Sequence, residues 1–176
     1  MEEVADFTAL RRAALERVPI REASRVPEFT LASGVYEVWS RLSCDGLPAH
    51  PDLDPLRFGP KPLPNMALID VLNTGADYRW RLCGERVAMM LGTRLKGKRL
   101  SELEAQLGDG MAFRGLLDQV VRYRAPRFYV MRHTTLVGTP KRTYGVLLPL
   151  CRAPGPAEAP APVATILSAS DWCNGH

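Results

Sequence analysis

Asp77-Tyr78-Arg79-Trp80-Arg81-Leu82-Cys83-Gly84 alternates strictly, setting Tyr78, Trp80 and Leu82 on one face of an extended chain and Arg79, Arg81 and Cys83 on the other. It reads as a half-buried strand. Upstream, the apolar run Met66 to Leu72 is separated from it by Asn73-Thr74-Gly75-Ala76, so the pair predicts a hairpin. Downstream the period becomes helical at Val87, Met90 and Leu91, with Gly92 as a stop and Gly97 punctuating a basic loop from Arg94 to Arg99. Ser101 with Glu104 has capping-box spacing and predicts a second short helix. A longer helix begins near Gly110, carries Phe113, Leu116, Leu117, Val120 and Val121 on one stripe, and ends before Pro126. Arg127 to Val137, Arg142 to Cys151 and Val163 to Ser170 supply three further strands. Helices do not alternate with the strands, which argues against a parallel nucleotide-binding sheet. An α+β fold follows: five antiparallel strands with short helices on one face.

Composition fits one domain. The 176 residues suffice for a sizeable core, and no stretch approaches the roughly 20 apolar residues that span a bilayer. The acidic start Met1-Glu2-Glu3 lacks the positive region of a signal peptide, so a cytoplasmic location is expected. Cys44, Cys83, Cys151 and Cys173 are scattered without a Cys-x-x-Cys pair, as reduced thiols would be, and no metal site is expected. The net charge of +4 concentrates in Arg94, Lys96, Lys98, Arg99 and in Arg122, Arg124, Arg127, Arg132. Each patch reads first as a solvated surface and second as a docking face for an acidic partner. No helix-turn-helix, zinc finger or aromatic RNA-binding signature accompanies the charge, which argues against nucleic acid.

The ordered motif set resembles a bacterial family of PAS-like proteins that often stand alone. Carrying residues are Leu53-Asp54-Pro55-Leu56, Leu63-Pro64, Leu68-Ile69-Asp70-Val71, and Tyr78-Arg79-Trp80-Arg81-Leu82 ending at Gly84, followed by Gly92, Gly97 and Leu100. The likeness runs from Gly34 to Ser170. Residues 33–172 are therefore expected to form the PAS-like domain, preceded by a helical extension over residues 1–32. In that extension Asp6 to Val18 has Phe7, Leu10, Ala14 and Val18 along one side of a helix stopped by Pro19, and Glu22 to Thr30 looks irregular. A helix starting after Ser33 carries Val35, Val38, Trp39 and Leu42 on one face. Such a face would cover the outer side of a PAS sheet, as intramolecular core or as the contact of a symmetric homodimer. The stretch 47–64 holds six prolines and must be an ordered loop or an extended crossing, and 153–162 is a Pro/Ala-rich loop between the last two strands.

The resemblance implies a sensory or regulatory module with a pocket between the inner sheet face and the short helices. Candidate lining residues are Trp80 and Leu82 from the hairpin, Met89, Met90 and Leu91 from the first short helix, and Phe113 and Leu117 from the longer one. Tyr129, Met131, His133, Tyr144, Val146 and Leu148 follow from the later strands, with the register left open. Met suits a deformable apolar pocket, although the same residues could simply fill a core. His133 could meet a polar ligand or an axial haem position, or satisfy a neighbour. A small organic ligand is the expected occupant. Haem is not favoured, because a lone strand histidine more often satisfies a neighbour, and flavin is not favoured, because Arg81-Leu82-Cys83-Gly84 lacks the Asn-Cys-Arg-Phe-Leu-Gln type of motif of photoactive flavin domains. Arg79 and Arg81 pair with acids such as Asp70 or Glu37, or seat an interface. The chain shows no Gly-x-Ser-x-Gly elbow, His-Glu-x-x-His, phosphate loop or paired catalytic carboxylates, so no catalytic residue is assigned. Two outputs remain: ligand sensing coupled to dimerisation or a protein partner, and ligand-free adaptation through contact alone.

Overall fold

The computed structural model describes residues 14–43, 46–50, 53–91, 94–107, 113–134, 139–152 and 160–174. Among them are strands β1 (Ala14–Val18), β2 (Met66–Leu72), β3 (Asp77–Cys83), β4 (Arg127–Thr134), β5 (Pro140–Leu150) and β6 (Thr165–Asn174). They form one antiparallel sheet in the order β1-β4-β5-β6-β2-β3. Helices α1 (Ile20–Ala23), α2 (Thr30–Leu42), α3 (Glu85–Leu91), α4 (Leu100–Leu107) and α5 (Phe113–Tyr123) flank it.

Both faces of the sheet are covered. On the inner face Ala67, Ile69, Tyr78, Trp80, Tyr129, Met131, Leu147 and Ile166 pack with Leu100 and Leu103 of α4 and Leu116, Leu117 and Val120 of α5. On the outer face Phe128, Tyr144, Val146, Leu148, Leu150, Leu167 and Ala169 pack with Ala32, Val35 and Trp39 of α2 and with Phe29 just before it. Phe29 meets Phe128 and Tyr144 edge-on, at 5.7 and 5.2 Å between ring centroids. The Trp39 indole N–H donates to the Pro149 carbonyl at 3.0 Å. Burial on two sides leaves β5 without alternation, since every residue from Thr143 to Leu150 is buried.

The sheet has six strands where the sequence predicts five. The extra one is β1, so the expected helix from Asp6 to Val18 is wrong over Ala14–Val18; its earlier residues lie outside the described chain. Helix propensity there is overridden by the open edge of β4, to which β1 pairs from Ala14 opposite Arg132 to Val18 opposite Phe128. The region read as irregular contains α1 and a 3-10 turn at Pro27–Phe29, and α2 starts at Thr30, ahead of Ser33. The predicted stop at Gly92, the start of the long helix at Gly110 and positions 153–159 of the Pro/Ala-rich loop also lie outside the described residues.

The capping box is built differently from the expected Ser101–Glu104 pair. Glu102 accepts from the Arg99 amide at 2.9 Å, while the Ser101 amide and hydroxyl donate to Asp77 of β3 at 3.1 and 2.7 Å. A carboxylate from a distant strand thus caps α4, where the helix presents its positive end. Arg114 ties the same corner together, reaching Glu104 at 2.7 Å and Asp77 at 3.4 Å. Burial alone would raise the Asp77 carboxyl. Donation from Ser101 and the Tyr78 amide, with the charge of Arg114, brings it below the ordinary range.

Trp39→Ala is expected to cost about 3–5 kcal/mol, the usual range for emptying a buried aromatic site, and Trp39→Phe far less, because only the bond to Pro149 goes. Denaturant unfolding of both variants measures this; equal losses would mean that α2 is held by something other than the Trp39 ring.

Candidate functional site

Between the inner sheet face and helices α3, α4 and α5 lies a cavity of about 60 Å³, lined among others by Ala67, Ile69, Trp80, Val87, Met90, Phe113, Tyr129, Met131, Ser168 and Ser170. Strand alternation places each of these. Ala67 and Ile69 on β2, Tyr129 and Met131 on β4, and Ser168 and Ser170 on β6 are spaced by two and so share a face. The Phe113 ring stacks on Trp80 at 6.5 Å and meets Tyr129 edge-on at 5.9 Å. Met90 closes the wall from α3, its sulfur accepting from the Thr143 hydroxyl at 3.2 Å.

One end of this apolar space is polar. Tyr129 is 3% exposed, and its side chain shares the cavity lining with the hydroxyl-bearing Ser168 and Ser170. Burial pushes its pKa up to about 12, against the pull of the two serines, so the phenol stays neutral. Its ring occupies the place of the missing side chain at Gly145, where a Cβ would lie 2.4 Å from the Tyr129 Cζ.

Of the predicted lining residues, Trp80, Met90, Phe113, Tyr129 and Met131 come together here, and Leu117 is fully buried in the same core. Others lie elsewhere. Tyr144, Val146 and Leu148 face the outer side against Phe29 and α2, because Gly145 and Leu147 hold the inward positions of β5. Met89 is 70% exposed, one helical position round from Met90. Leu82 is 50% exposed because of a bulge: Leu68 pairs with Leu82 but Ile69 pairs with Trp80, so Arg81 is an extra residue in β3 and the alternation reverses after it. Cys83 then turns towards the inner core and Leu82 away from it. His133 is buried on the inner strand face beyond Met131 but does not line the cavity. Ala67, Ile69, Ser168 and Ser170 were not singled out from the sequence; the period-two spacing in β2 and β6 was the available signal.

Val35 and Trp39 are buried against their own sheet, 2% and 7% exposed, with Val38 and Leu42 half-buried beside them. Arg79 and Arg81 both pair with the buried Asp70, at 3.0 and 2.5 Å. The described cysteines Cys83, Cys151 and Cys173 are free. Among the described residues no group of His, Cys, Asp or Glu is arranged to hold a metal ion, and no helix is long and apolar enough to cross a membrane.

The antiparallel sheet, the short helices over its inner face and the cavity beneath them define a PAS-type fold. The chain belongs to the PAS domain family, whose sequence profile matches residues 30–159. Among solved structures it is similar to an RNA-binding light-oxygen-voltage receptor, at 12% identity and a TM-score of 0.44 over 90% of this chain. The chain spans 38% of the length of that receptor. No curated protein sequence matches it.

Gly145→Ala is expected to destabilise the protein by about 1–3 kcal/mol through overpacking and to shift the Tyr129 ring resonances; unchanged resonances would show that the ring is not seated there. A second expectation concerns pH. Burial lowers the pKa of both His133 and His50 from the ordinary 6.5; at His133 it outweighs the raising effect of the Met131 backbone and is helped by the charge of Lys141, and at His50 it is helped by Arg81 against the pull of Asp70. The unfolded chain therefore takes up protons that the folded chain resists, so stability present above about pH 6.5 is lost as pH falls below it. Urea midpoints at about pH 7.5 and 5.5 should drop with pH in the native chain, and drop less in His133→Leu. An identical drop would remove His133 from the account.

Proposed function

We propose that this PAS protein is a ligand-responsive regulatory module of the cytoplasm, acting through contact and not through catalysis. The inner cavity takes a small apolar molecule bearing one hydrogen-bonding group. The supporting observation is the mostly apolar space with Tyr129, Ser168 and Ser170 grouped at one end, the composition of an orienting ligand site. Met90 supplies the adaptable wall: three rotatable bonds and a single hydroxyl contact let it move aside for a guest larger than the resting volume. Such movement displaces α3 and alters what the domain docks with, either a second copy of itself or a protein partner.

The small resting volume favours a second reading, a ligand-free adaptor whose core is already filled. Native mass spectrometry of the purified protein, followed by denaturation and analysis of what is released, separates them. A stoichiometric small molecule that is lost in Ala67→Leu, a variant that fills the cavity, supports the sensor. A clean apo mass together with no stabilisation by any small apolar alcohol or ketone would leave the adaptor. The same spectra give the monomer-to-dimer ratio.

A further inference from the structure

On the outer face, α2 covers β5 and β6 but leaves the β2–β3 end to the proline-rich crossing. There a groove of about 240 Å³ is lined mainly by apolar side chains, including Leu53, Phe58 and Leu63 from the crossing and Leu68 and Leu82 from the hairpin. The bulge at Arg81 is what turns Leu82 into it. Two residues further along β2 from Leu68 a second depression, about 280 Å³, is lined by Asp70, Arg79, Arg81 and Arg152. His50 borders both, so the two adjoin along one sheet face.

The charges of the second depression do not cancel. Three guanidiniums face one carboxylate, and Arg152 has no partner among the described residues. Arg81 approaches His50 Nε2 at 3.1 Å. A guanidinium only donates, so Nε2 accepts and the imidazole is neutral with its proton on Nδ1, free to donate. The apolar groove therefore ends at a cationic head site with unused donors from Arg152, Arg79 and His50.

We propose that this outer surface is a second ligand site, separate from the inner cavity, which takes an amphipathic carboxylate: the tail lies over Leu68 and Leu82 and the carboxylate sits among Arg79, Arg81 and Arg152. Arginine forks match a carboxylate bidentately, and the partly apolar surroundings strengthen the pairing.

Sodium octanoate and octan-1-ol, equal in chain length and different in head charge, test this by titration into the isotope-labelled full chain at neutral pH. Octanoate should bind at least about tenfold more tightly than the alcohol, with shifts centred on Leu68, Leu82 and Arg81. Arg152→Gln should narrow that ratio while leaving the alcohol unchanged. Leu82→Glu, at a half-exposed position outside the core, should abolish octanoate binding without loss of folding. Absence of binding, equal affinity for the two probes, indifference to Leu82→Glu, or shifts centred on Met90 and Phe113 would each overturn the site. So would a dimer that Leu82→Glu dissolves, because a second copy would then be the groove's occupant.

Discussion

Burial of β5 and β6 on both faces is the constraint from which the rest follows. A strand covered on two sides loses solvent from its backbone groups, so they must find partners within the sheet, and β5 is paired to β4 from Pro140 to Leu147 and to β6 from Lys141 to Leu150. It must also be apolar at consecutive positions, which fixes where each helix can lie. α2, latched by Trp39, takes one side; α4 and α5 take the other, with α4 oriented by the carboxylate of Asp77. Because neighbouring residues of a strand point in opposite directions, each step along β6 hands one side chain to each face. Leu167 belongs to the outer groove and Ser168 to the inner cavity.

The bulge in β3 is the local exception that separates the inner cavity from the outer groove. Without the extra residue, Leu82 would follow Tyr78 and Trp80 inwards and the outer groove would lose the side chain that makes its rim. With it, the hairpin keeps two large rings in the core and still presents an apolar residue outside, beside the arginines held by Asp70. Asp70 is buried and would be costly there as a lone charge; the two guanidiniums offset that cost and in turn are held where their spare donors face solvent.

Legibility in the sequence followed the number of buried faces. The hairpin alternates visibly up to Trp80 because one side is polar, and there the reading of Tyr78 and Trp80 as inward and Arg79 and Arg81 as outward holds. In β5 alternation is absent by necessity, so Tyr144 and Val146 gave no sign that they face outwards. Leu82 was misplaced because a bulge is written in pairing, not in composition. The strand at Ala14–Val18 was hidden by its own helix-forming residues, since only the free edge of β4, more than a hundred positions away, makes it extended. Asp77 as the cap of α4 was out of reach for the same reason: the local Ser101–Glu104 spacing competed with a partner from another strand.

The ring of Tyr129 resting where Gly145 lacks a side chain has a consequence for inheritance. Positions 129 and 145 lie directly opposite on paired strands, and the space between them is already full. Any side chain at 145 demands something smaller at 129, and a smaller residue at 129 opens the inner cavity and removes its phenol at one stroke. Capacity and polarity of the cavity are thus one heritable trait carried by two codons.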